Sequence, residues 1–170
     1  MMRGSRAILA VGLLVSSFGT AASEEAPACA SFAWSVARES AAFAAPNLPA
    51  LASGSAMPGG TSAVQVMLKP AAEVTLPVPS DRGAKPDTFT GFITGVVPAA
   101  GTYQVTLSDD AWVDVSQDGR TNLKPVAHSG KVGCPDVRKS LHFALNAGPV
   151  TIEINRAPGQ QIKLDLLKAE

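Results

Sequence analysis

The chain has 170 residues, room for one ordinary domain once any targeting segment is removed. Its 14 lysines and arginines balance 14 aspartates and glutamates. No basic run is longer than Arg138-Lys139. Neither a nucleic-acid footprint nor a polybasic membrane patch follows from that balance, so nucleic acid is not expected as a partner, and the sequence names no cofactor. Arg3 and Arg6 precede an apolar run from Ala7 to Val15, followed by small residues at Gly19-Thr20-Ala21-Ala22-Ser23. This is the pattern of a signal peptide over residues 1–23, too short for a comfortable membrane span. A single domain over 24–170 follows, periplasmic or secreted, with no stable membrane span after cleavage. Cys29 lies beyond Glu24-Glu25 and not at the cleavage point, which disfavours a lipid anchor. An exported chain with two cysteines most simply pairs them, so Cys29 and Cys134 are expected to form a disulfide.

Taken in order, Ser35 to Ala44 reads as a short helix, with Ser35 as N-cap and Pro46 and Pro49 beyond its end. Asn47 to Thr61 is loop-like. Val64–Leu68 and Val74–Val78 are strand candidates, the second restricted by Pro77 to an edge or a strand end. Phe89–Val97 is a strand broken by glycines. From Gly101 onward the chain writes out one-sided stripes: Tyr103/Val105/Leu107, Ala111/Val113/Val115, Leu141/Phe143/Leu145, Val150/Ile152/Ile154 and Ile162/Leu164/Leu166. Successive strand side chains point to opposite faces, so each stripe is one apolar face. Ser108-Asp109-Asp110 is expected to close a tight hairpin between the first two strands, and Asp118-Gly119 to turn after the second. Leu123–Ala127 is a further short strand candidate, and His128–Asp136 a loop. The fold expected is mainly β: an antiparallel, jelly-roll-like β-sandwich with one short N-terminal helix.

The phrase Ala100-Gly101-Thr102-Tyr103-Gln104-Val105-Thr106-Leu107, with Trp112-Val113-Asp114-Val115 and the later Leu145-Asn146-Ala147-Gly148-Pro149-Val150, resembles bacterial pre-peptidase C-terminal domains. Pro149-Val150 departs from that pattern, standing where a tyrosine belongs. The resemblance covers about residues 98–167 and implies a β-sandwich acting as a non-catalytic accessory or binding module. The segment Phe32-Ala33-Trp34-Ser35-Val36-Ala37-Arg38-Glu39 resembles the start of small proteobacterial periplasmic proteins, which carries no activity with it.

Candidate chemistry is sparse. No Gly-x-Ser-x-Gly elbow is present. His128, His142 and Glu153 are the residue types of a two-histidine, one-carboxylate metal site, as in cupin-type dioxygenases, but the usual His-x-His pair is missing. His142 alternates with Leu141 and Phe143, which points it to solvent. Asp109, Asp110, Asp114 and Asp118 suit turns better than a calcium loop. Trp112 and Asp114 share a strand face opposite Ala111/Val113/Val115. Exposed, they form a stacking ring with a polar partner, able to hold a glycan or another envelope component. Buried, Trp112 covers the N-terminal helix together with Trp34, the reading preferred because tryptophan is usually buried.

Overall fold

The computed structural model describes residues 28–170, so the signal-peptide segment lies outside the described residues. Ten strands form two sheets: β1 (Ala50–Ala52), β2 (Ala63–Met67), β3 (Lys69–Pro70), β4 (Phe89–Val97), β5 (Gly101–Leu107), β6 (Trp112–Ser116), β7 (Ala127–Gly130), β8 (Lys139–Leu145), β9 (Gly148–Ala157) and β10 (Gln161–Lys168). One sheet has the order β1-β2-β10-β5-β8-β7, the other β3-β4-β9-β6. All pairings between these strands are antiparallel except β1 with β2.

The pairs β2·β10, β4·β9 and β5·β8 are nested, each inside the previous one along the chain. A long antiparallel ribbon wound in this way, with alternate pairs falling in opposite sheets, is a jelly roll. The expected stripes face inward. Val105, Leu107, Phe143, Ile162 and Leu164 from the six-stranded sheet meet Ile93, Val113, Val115, Ile152 and Ile154 from the four-stranded one, all buried. Burying a side chain of this size contributes about 1.5–3 kcal/mol, so this one layer dominates stability.

The connections differ from expectation. Ser108–Asp110 closes no hairpin; it carries the chain from β5 in one sheet to β6 in the other. The same holds for the turns between β8 and β9 and between β9 and β10. Alternation specifies that one face is buried, and it is silent about which strand lies alongside. Val74–Val78 forms no strand: Pro77 and Pro79 remove backbone donors, and the segment runs as a strap over the four-stranded sheet. The strand expected at 123–127 falls at Ala127–Gly130, so His128 is on a strand and not in a loop. Helix α1 spans Ala37–Phe43 with Val36 as N-cap, starting two residues later and ending one residue earlier than the 35–44 reading. Ser35 still contributes, its Oγ accepting from the Ala37 N–H at 3.3 Å.

Cys29 and Cys134 form a disulfide. It anchors a second, smaller core on the outer face of the six-stranded sheet, where Phe32, Val36 and Phe43 pack with Ala63 and Val137. Lys163 on β10 bonds the Phe43 carbonyl at the end of α1 (2.8 Å) and the Asp136 carboxylate (2.7 Å). Seven residues are too few for an autonomous helix, so α1 exists because of these anchors.

Gly91 sits where the β4·β9 register shifts. A Cβ built there lies 2.8 Å from both Leu68 Cδ2 and Ser53 Oγ. Gly91→Ala is therefore expected to destabilise by about 1–3 kcal/mol, read from the denaturant midpoint. A neutral result would mean that Ser53 and Leu68 yield without cost.

Candidate functional site

On β6 and β9 the residues that alternate with the core stripe point outward, yet four of them are not solvated. Asp114, Ser116, Glu153 and Asn155 are all buried, as is Thr90 on β4. Asp114 and Glu153 are direct cross-strand partners. The 77–83 strap covers them, and the cluster holds it down. Glu153 Oε1 accepts from the Val78 N–H at 2.8 Å, and Asp114 Oδ2 accepts from Ser80 Oγ. Asn155 donates to the Arg82 carbonyl and to Ser80 Oγ, and itself accepts from Thr90 Oγ1 (2.9 Å). Glu153 Oε2 is buried and has no hydrogen-bond partner among the described residues. Burial, reinforced by the neighbouring Asp114 carboxylate, pushes the Glu153 carboxyl up to about 7.

Trp112 stands at the margin of this cluster, half-buried. Its indole N–H donates to Asp114 Oδ1 at 2.8 Å. The Arg82 guanidinium lies 4.8 Å from the ring centroid, and Lys139 Nζ 5.5 Å from it. The structure places Trp112 and Asp114 side by side on one strand face, as their alternation with Val113 predicts. Asp114 is buried and fixes the ring. The ring in turn carries two cations, so it is not a bare stacking platform. Nor does Trp112 cover α1: that helix and Trp34 lie on the opposite sheet. Trp34 stacks on His142 with centroids 3.8 Å apart and donates from Nε1 to Ser140 Oγ at 2.9 Å.

His142 is thus covered, not solvent-facing. Its Nε2 is 3.0 Å from Gln104 Oε1, and burial holds its pKa below the ordinary value. His128 is exposed on β7, opposite Leu141, and so faces the other way from its strand neighbour His142. Glu153 belongs to the other sheet altogether. The two histidines and the glutamate do not converge, and among the described residues no group of three such side chains could hold a metal ion. The same applies to the aspartates: Asp114 is buried in the sheet. Asp118 is a turn residue whose carboxylate is held well below the usual range by the Thr121 hydroxyl and the Thr121 and Arg120 N–H groups.

Arg82, Ser80, Glu153 as a strap anchor, and Lys139 are additions that sequence reasoning missed. Glu153 carried a signal, since it alternates with Ile152 and Ile154 as Asp114 does with Val113 and Val115. Knowing that the two share a face needs the β6·β9 pairing.

No known protein family matches the chain, and no curated protein matches it. Among the described residues no helix is long and apolar enough to cross a membrane.

Proposed function

We propose that this protein is an exported, non-enzymatic accessory or binding module that holds a component of the cell envelope at the sandwich margin around Trp112. One observation carries the reading. The half-buried Trp112 ring is fixed from several sides by Asp114, Arg82 and Lys139, whereas its outward-facing neighbours Asp114, Ser116, Glu153 and Asn155 are buried. A preorganised aromatic with polar partners at a surface is suited to recognition. The disulfide supports export, because such bonds persist in oxidising compartments. The jelly-roll sandwich is compatible with the accessory-module resemblance, and it also hosts many other activities.

The test is retention of purified protein on an immobilised cell-envelope fraction. Trp112→Ala should reduce retention at least about tenfold, the scale of one lost specific contact. It should cost only about 2 kcal/mol of stability, because the ring is half-buried and not a core side chain. Trp112→Phe, which keeps a ring and loses the N–H to Asp114, serves if the alanine variant folds poorly. Undiminished retention by both variants would remove the margin as the binding surface.

A further inference from the structure

The two sheets are unequal in width, six strands against four, and the difference is exposed at one edge. β7 ends the wider sheet and β6 the narrower. The β7·β8 register places His128 and Gly130 on the same face as Leu141 and Lys139, the face directed at the other sheet. Leu141 is buried there, whereas His128 and Gly130 are exposed. The overhang leaves a cleft of about 360 Å³ lined by Asp110, His128, Ser129, Lys131, Arg138 and Lys139.

Resting on the binding-module reading, we infer that this cleft, with Arg82 and Trp112 at its rim, binds a saccharide carrying oxyanions, whether carboxylate, sulfate or phosphate. The charge count points that way. Arg82, Lys131, Arg138 and Lys139 are gathered here on a chain whose formal charge is zero. The carboxylate lining the cleft is Asp110, and it is engaged by Arg138 at 3.3 Å. Asp114, beneath Trp112, is buried and taken up by the strap and the indole. Lys139 crosses from β8 to donate to the Ala111 carbonyl at 2.8 Å, and burial holds its pKa below the ordinary value despite the nearby Asp110. A cation partly desolvated among other cations gains most from an arriving anion. Arg82 and Lys139 both lie against the one indole ring, 4.8 and 5.5 Å from its centroid. Guanidinium groups match the paired oxygens of carboxylate, sulfate and phosphate.

The experiment measures binding of the full mature protein to polygalacturonate, dextran sulfate, a phosphate-bearing lipopolysaccharide and neutral dextran at low salt. At least one anionic polymer should bind, neutral dextran should not, and the responding polymer identifies the oxyanion. Binding should weaken steeply with added salt. Arg82→Met and Lys139→Met keep the aliphatic stems and should each lose about tenfold in affinity. Lys69→Met, on β3 at the opposite edge of the narrower sheet, should bind like the parent. Arg82→Lys should fall between parent and Arg82→Met, which a merely unfolded variant would not. Equal losses at Lys69 would reduce the effect to diffuse charge and overturn the site. Envelope retention that depends on Trp112, without binding to any anionic polymer, would overturn the oxyanion assignment and leave the binding-module reading standing. Retention of nothing would remove both.

Discussion

Cys29→Ala combined with Cys134→Ala should lower the unfolding free energy by about 4–5 kcal/mol, the loop-closure value for a span near a hundred residues. The two cysteines are 105 positions apart, and the bond ties the start of the described chain to the loop before β8. What it protects is local. Phe32, Val36 and Phe43 form the small outer core, and Trp34 closes over His142 and Ser140. With the bond gone, this segment relies on about three buried apolar side chains and a few hydrogen bonds against the backbone entropy of ordering it. Hydrogen exchange should therefore accelerate first over residues 32–43, while β5, β8 and β10 stay protected. Denaturant titration of the double variant gives the total. A loss below about 1 kcal/mol would mean that the outer core holds without its covalent anchor.

Glu153→Gln should change how stability depends on pH. The Glu153 carboxyl is raised from its ordinary 4.5 to about 7. Below about 4.5 both folded and unfolded chains hold the proton, and the group costs nothing. Between 4.5 and 7 the unfolded chain releases the proton while the folded chain retains it, so stability falls with rising pH and levels off above 7. The loss attributable to Glu153 is up to about 3 kcal/mol. The substituted glutamine cannot ionise, and its carbonyl can still accept from the Val78 N–H. Its amide places a donor where Oε2 now lacks a partner. The variant should therefore match the parent near pH 4 and exceed it at pH 8. Glu39 on α1 and Asp165 beneath it are also raised by burial and slope the same way, whereas His142, depressed by burial, slopes the other way below 6.5. For that reason the difference between the two proteins, measured by thermal melts across pH, isolates Glu153. Parallel curves would show that the strap site does not strain the ionised carboxylate.

Both predictions concern layers that the sequence did not announce. Each stripe from Tyr103 to Leu164 was legible because period-two alternation is a local property of the chain. That the intervening residues meet water does not follow from the same pattern. Gln104, Thr106, Ser140 and Asp165 on one sheet, and Asp114, Ser116, Glu153 and Asn155 on the other, are polar and buried. The 28–43 segment supplies partners to Gln104 and Ser140, and the 77–83 strap to Asp114, Glu153 and Asn155, hydrogen bonds that water would otherwise make. Trp112 and Asp114 were likewise legible as neighbours on one face. Their cations were not: Arg82 comes from 30 residues earlier and Lys139 from 27 later.

By itself, then, the sequence determined the β class, the inward faces of the principal strands, the short helix before β1 and the pairing of its two cysteines, since these rest on local periodicity or on there being a single possible partner. Tertiary structure alone decided which strands lie side by side, that adjacent stripes belong to opposite sheets, and that His128, His142 and Glu153 stay apart. It also decided that Lys131, Arg138 and Lys139 line one cleft with His128 and Asp110. Those features depend on contacts between residues far apart in the chain, and a side chain's alternation with its neighbours carries no record of what will come to rest against it.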